Sequence, residues 1–163
     1  GSHDTERILT RCGNDESKLR LLLALQFFLP GNPTIYYGDE LGMTGENDPG
    51  CRGSMPWQLA TAEPSLFREF RTWIQRKTTD PVLHYGNTEL RYREDSECYV
   101  IRRYIETAEA VLLINFSQDR QALDNVMKRF DLIGTYTLDH SQDTGNLPDF
   151  IGPGETMLFQ KRN

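Results

Sequence analysis

Hydrophobic positions follow two different patterns along the chain, and the change comes near Asp80-Pro81. Before that point they gather in helix-length runs. After it they come in short stretches separated by polar or Gly/Pro turns. Residues 16–29 form the densest run, with Leu19, Leu21, Leu22, Leu23, Leu25, Phe27 and Phe28 leaving little polar face. Asn14-Asp15 offers an N-cap and Pro30-Gly31 a stop, so a helix is predicted there, apolar nearly all round and therefore buried between layers. A second helix is predicted from Pro64, a favoured first-turn residue, with Leu66, Phe67, Phe70, Trp73 and Ile74 on one stripe. Phe70 and Trp73 are read as its packed core face rather than as ligand contacts. Between these helices, Thr34-Ile35-Tyr36-Tyr37 is β-branched and aromatic and stops at Gly38. This run predicts a short strand buried on both faces, as in a parallel sheet.

Beyond Pro81, strands are predicted at residues 89–93, 98–104, 110–116, 135–138 and 156–161. Several short strands with turn signals between them suggest an antiparallel sandwich of about eighty residues. The segment 123–132 reads as one helical turn or an irregular edge. The expectation is an α+β chain of two domains, residues 1–80 and 81–163. The first is incomplete by this reading, because an isolated parallel strand has no neighbour for its backbone donors and acceptors. It should be part of something larger.

Composition narrows the partners. The 163 residues are 37% hydrophobic and 26% charged, which suits a soluble globular protein rather than a disordered chain. A net charge of -6 and a pI near 5.1 argue against nucleic acid and against an anionic membrane, since both require a basic face. No apolar run reaches the roughly 20 residues needed to span a bilayer, and no signal peptide is visible at the start. Cys12, Cys51 and Cys98 are odd in number and lack the spacing of a zinc site or a disulfide scaffold. They are read as free thiols in a reducing, cytoplasmic compartment. His84 and His140 have no nucleophile or metal partner at useful spacing and are expected on the surface. No metal and no cofactor are implied.

From Glu40 to Trp57 the chain is rich in Gly, Asn, Asp and Pro, and a loop of that length in a compact domain is usually functional. The residues around it carry a resemblance. Gly1-Ser2-His3-Asp4-Thr5-Glu6-Arg7, followed by Pro30-Gly31-Asn32-Pro33-Thr34-Ile35-Tyr36-Tyr37-Gly38-Asp39-Glu40-Leu41-Gly42-Met43, resembles the α-amylase family in order and spacing. Gly45-Glu46-Asn47-Asp48-Pro49-Gly50-Cys51-Arg52 with Met55-Pro56-Trp57 looks like its neopullulanase, cyclomaltodextrinase and maltogenic amylase branch. The likeness covers the first sixty or so residues strongly. Gly1-Ser2-His3 reads either as the remnant of a cleaved purification tag or as native, the resemblance favouring native sequence.

The resemblance implies the last β/α units of a (β/α)8 TIM barrel, followed by an all-β antiparallel sandwich as C-terminal domain. Barrel active sites lie at the C-terminal ends of the strands. Retaining glycoside hydrolysis uses a nucleophile and an acid/base carboxylate about 5 to 5.5 Å apart. By resemblance, Asp4 is a third carboxylate, which stabilises the transition state by binding ring hydroxyls of the sugar at the cleavage point. His3 also holds a hydroxyl of that sugar, and Asp48 and Arg52 contact it. A structural salt bridge within the loop is the plainer alternative for Asp48 and Arg52. Asp39 and Glu40 follow the predicted eighth strand and either face the site or satisfy neighbouring groups. Met55 and Trp57 are expected to shape the pocket wall or pack the loop. The family's nucleophile and general acid have no counterpart in the sequence, so the chain itself is expected to be inactive, while an intact parent would act on α-glucan oligosaccharides. Competing readings are a carbohydrate-binding module using Tyr92, Tyr99 and Tyr104, and a homo-oligomer driven by exposed apolar surface.

Overall fold

The computed structural model describes residues 1–93, 97–133, 136–139 and 147–162. It forms two units, Gly1–Phe27 with Gly31–Lys77, and Phe28–Pro30 with the described residues from Thr78 onward.

The first unit holds α1 (Ile8–Arg11), α2 (Glu16–Phe28, its last residue belonging to the second unit), α3 (Trp57–Ala62) and α4 (Ser65–Thr79, its last two residues likewise). Asp15 caps α2 as predicted, its Oδ1 accepting the backbone N–H groups of Ser17 and Lys18 at 2.9 and 3.4 Å. Leu19, Leu23, Ala24 and Phe27 are buried on α2, but Leu22 is 41% exposed. The expectation of a helix enclosed on every side is therefore corrected: the described residues cover one side of it. Arg20 ties α2 to α4, pairing with Glu69 and donating to Ser65 Oγ at 3.0 Å. The stripe predicted for α4 buries Leu66, Phe70 and Trp73, while Ile74 at its margin is half exposed.

The predicted strand at 34–37 does not form. Strand structure needs a neighbour to complete its backbone hydrogen bonds, and none of the described residues provides one here. The segment is instead held by side chains: Gln26 Nε2 donates to the Thr34 carbonyl at 2.8 Å and Arg7 donates to the Tyr37 carbonyl. Thr34 and Tyr37 are exposed, so burial on both faces is also corrected.

The second unit begins with α5 (Pro81–Tyr85), whose N-cap Asp80 accepts the Val82 N–H at 2.9 Å. Strands β1 (Asn87–Tyr92), β2 (Cys98–Tyr104), β3 (Ala108–Asn115) and β4 (Gln121–Ala122) follow, then α6 (Leu123–Arg129), β5 (Thr137–Leu138), β6 (Phe150–Ile151) and β7 (Thr156–Arg162). Five strands make one antiparallel sheet in the order β1-β2-β3-β7-β5, and β4 pairs with β6. β3 is central and covered on both faces, which explains its unbroken run Ala110-Val111-Leu112-Leu113-Ile114. Cys98, Val100, Val111, Leu113 and Phe159 pack with Leu123, Val126, Met127, Phe130, Leu132 and Ile151 into one core. On the opposite face, Ile101, Leu112 and Ile114 are buried and α5 lies against β2 and β3. Segment 123–132 is resolved in favour of a helix, α6. Part of the strand predicted at 135–138, and His140, lie outside the described residues. The chain is a mixed α/β structure with an antiparallel sheet.

Candidate functional site

A tight turn opens the chain. Ser2 and Thr5 form a β-bridge and their hydroxyls lie 3.1 Å apart, while the Asp4 N–H donates to Ser2 Oγ at 3.3 Å. The turn leaves the side chains of His3 and Asp4 exposed. The long loop from Gly38 returns to this turn. Gly38 takes φ 83°, a left-handed conformation open to glycine, and a Cβ there would collide with Met43. A Cβ on Gly45 would likewise run into the Gly50 carbonyl. These two glycines fold the loop so that a single 3-10 turn, Gly50–Arg52, faces His3 and Asp4.

Arg52 is the hub of the site. Its Nε lies 2.9 Å from Asp48 Oδ1 and donates to the His3 carbonyl at 3.2 Å, and its Nη2 lies 3.7 Å from Asp4 Oδ1. His3 Nε2 is 3.2 Å from Asp4 Oδ2. Buried Cys51 donates its thiol to the same His3 carbonyl at 3.1 Å. The four residues singled out from sequence, His3, Asp4, Asp48 and Arg52, therefore form one contiguous surface group across about fifty residues of chain. The salt bridge weighed as the plainer reading of Asp48 and Arg52 is present, and it includes Asp4. Chemically the group offers two carboxylates that accept from hydroxyls and two basic side chains that donate to them.

Asp39 turns away from this group. It is 5% exposed and pairs with Arg7 at 3.3 Å. Burial pushes its carboxyl above the ordinary range, against the pull of the Gly1 ammonium and the Arg7 guanidinium. Glu40 keeps one buried carboxylate oxygen without a partner among the described residues. Trp57 is 71% exposed, so most of its ring is not packed against the loop. His84 is exposed as expected. Of the tyrosines considered for sugar stacking, Tyr92 and Tyr99 stack on each other at 4.9 Å, whereas Tyr104 lies under Arg102 at 4.2 Å. No three His, Cys, Asp or Glu side chains are grouped for metal binding among the described residues.

Sequence reasoning missed Arg7 and Cys51 as parts of this arrangement. Arg7 sits inside the opening motif but bears no spacing that singles it out, and Cys51 was read only as a free thiol.

Residues 1–130 match the family model for the alpha amylase catalytic domain. The intracellular maltogenic amylase of Bacillus subtilis (strain 168) is 37% identical over 129 residues, covering 78% of this chain and 22% of that protein. Among solved structures, the maltogenic amylase from S. marinus superposes with a TM-score of 0.82 at 26% identity, over 99% of this chain and 22% of its own. A cyclic α-maltosyl-(1→6)-maltose hydrolase from Arthrobacter globiformis, solved in complex with that sugar, gives a TM-score of 0.73 at 31% identity, over 99% of this chain and 34% of its own. The chain thus spans between a fifth and a third of the length of these relatives.

Proposed function

Because the chain belongs to the α-amylase family, in the branch of maltogenic amylases, cyclomaltodextrinases and neopullulanases, we propose that it is the C-terminal segment of a retaining glycosidase acting on maltodextrins, cyclodextrins or pullulan. Residues 1–80 are the last β/α units of a (β/α)8 barrel, with 34–37 as its eighth strand once neighbours are present, and residues 81–163 are a C-terminal β-sandwich domain. Three buried cysteines outside any disulfide and a relative named intracellular favour the cytoplasm.

The observation that carries the reading is the convergence of Asp4 and Asp48 on Arg52. In this role Asp4 accepts hydrogen bonds from ring hydroxyls of the sugar at the cleavage point, and these bonds strengthen as the ring flattens toward the oxocarbenium-like transition state. His3 donates to a hydroxyl of the same sugar. Arg52 braces Asp48, so that its carboxylate meets the sugar in one orientation.

None of the motifs that match the family carries its nucleophile or its general acid. Without them there is no group to attack the anomeric carbon and none to protonate the leaving oxygen. Purified chain incubated with a cyclodextrin or a chromogenic maltoside should therefore release no product. Turnover that persists through repeated purification would refute the assignment of roles.

A further inference from the structure

Arg7 is 0% exposed, yet its Nε and Nη2 have no partner among the described residues. Its Nη1 donates to the Tyr37 carbonyl and lies 3.3 Å from Asp39 Oδ1. The guanidinium sits against both Tyr36 and Tyr37, 4.4 and 4.5 Å from the ring centroids. Its backbone N–H donates to the Gly45 carbonyl at 2.8 Å. A buried cation with unmet donors is costly, and a buried ion pair is weak evidence of a stabilising role. Such an arrangement calls for an explanation outside stability.

Its connections supply one. Arg7 follows Asp4 by three residues, and it grips the loop of Asp48 and Arg52 at residues 37, 39 and 45. We infer that Arg7 is a positioning residue: it fixes that loop against the turn bearing His3 and Asp4, and so sets how Asp4, Asp48 and Arg52 meet. A lysine could not replace it fully: its single nitrogen could reach the two oxygens that Nη1 meets, but it lacks the flat face that rests against the rings of Tyr36 and Tyr37. The clamp is a property of this chain alone; its consequence for catalysis rests on the glycosidase reading.

Two measurements test it. Cys51 is fully buried and its thiol lies on the His3 carbonyl, so its labelling rate by a small thiol reagent reports opening between loop and turn. Cys98, buried in the other unit, is the internal control. Arg7→Met should speed Cys51 labelling about tenfold or more while Cys98 is unchanged, with Arg7→Lys intermediate. If Arg7→Met does not fold, Asp39→Asn is read in the same way. Labelling of Cys51 that stays at the wild-type rate, or that rises only in step with Cys98, overturns the clamp. In a longer polypeptide joining this chain to the rest of a barrel, Arg7→Lys should lower kcat about tenfold or more with KM moving less than about threefold, as small misplacements of a reacting group do. A lower melting temperature with kcat intact overturns the positioning role. Should that polypeptide be inactive on α-glucans without any substitution, the glycosidase reading fails while the labelling result still decides the clamp.

Discussion

Arg103 shows how one side chain can carry part of a fold. It is 1% exposed on β2 and donates Nη1 to the Phe28 carbonyl at 2.6 Å and Nη2 to the Gly86 and Leu83 carbonyls at 2.9 and 3.3 Å. Burial pulls its guanidinium below the ordinary arginine range. Removing it leaves three carbonyls that face no donor, and each orphaned buried acceptor is costly. Arg103→Ala should destabilise the chain by about 3 kcal/mol in urea unfolding, with Arg103→Lys recovering part of the loss. A loss below about 0.5 kcal/mol, the size of an ordinary surface substitution, would show that water satisfies those carbonyls. In the sequence Arg102 and Arg103 look interchangeable. Strand alternation puts one on each face, but nothing local says which face is closed by residues 28, 83 and 86. The His3, Asp4, Asp48 and Arg52 group was legible for a different reason: its residues stand in family motifs whose order implies their meeting, whereas Arg7 acts through contacts no motif encodes.

Between elements, the sheet is laced by a polar ladder. Arg102 on β2 reaches Glu89 on β1 at 3.0 Å and both oxygens of Glu109 on β3 at 2.8 Å, while the Tyr136 hydroxyl donates to Glu109 at 2.5 Å. Arg102 holds the Glu109 carboxyl down to about 2, with Tyr136 adding to the effect and burial opposing it. A carboxyl with a folded-state pKa below its unfolded value adds stability above the unfolded value and loses it as pH falls toward the folded one. Glu109→Gln should therefore cost about 1 kcal/mol at pH 7, an estimate kept small for a partly solvated pair. The gap to the unsubstituted chain should close between pH 4.5 and about 2. Urea midpoints across that range check it, and a gap independent of pH would assign the loss to packing. Strands were legible where a run was long enough and bounded by turn residues, as at Cys98–Tyr104 and Thr156–Arg162. β4 and β6 have two residues each, too few to show a period. Asp80-Pro81 was read only as a boundary, although the same pair starts α5 as N-cap and first helical residue.

For the chain as a whole, the unformed strand at 34–37 and the open side of α2 are the same fact. A cavity of about 230 Å³ lies in the first unit, lined mainly by apolar residues including Leu19, Leu22, Leu23, Ile35 and Phe70. Sequence periodicity marked these residues as core, and could do no more, because periodicity states that a face should be covered without saying whether the covering residues belong to the same chain. Relatives several times longer have residues to spare for that purpose. Expressed alone, this chain keeps part of an apolar helix face in water, Leu22 being 41% exposed, and a second copy is a surface that can cover it. Light scattering should therefore report a mass that rises with concentration, and Leu22→Glu, which places a charge on the exposed side of α2, should return it toward the 18.8 kDa monomer. A concentration-independent monomer without that substitution would mean that the open face is adequately hydrated, and that a missing neighbour is not what shapes the chain's behaviour in solution.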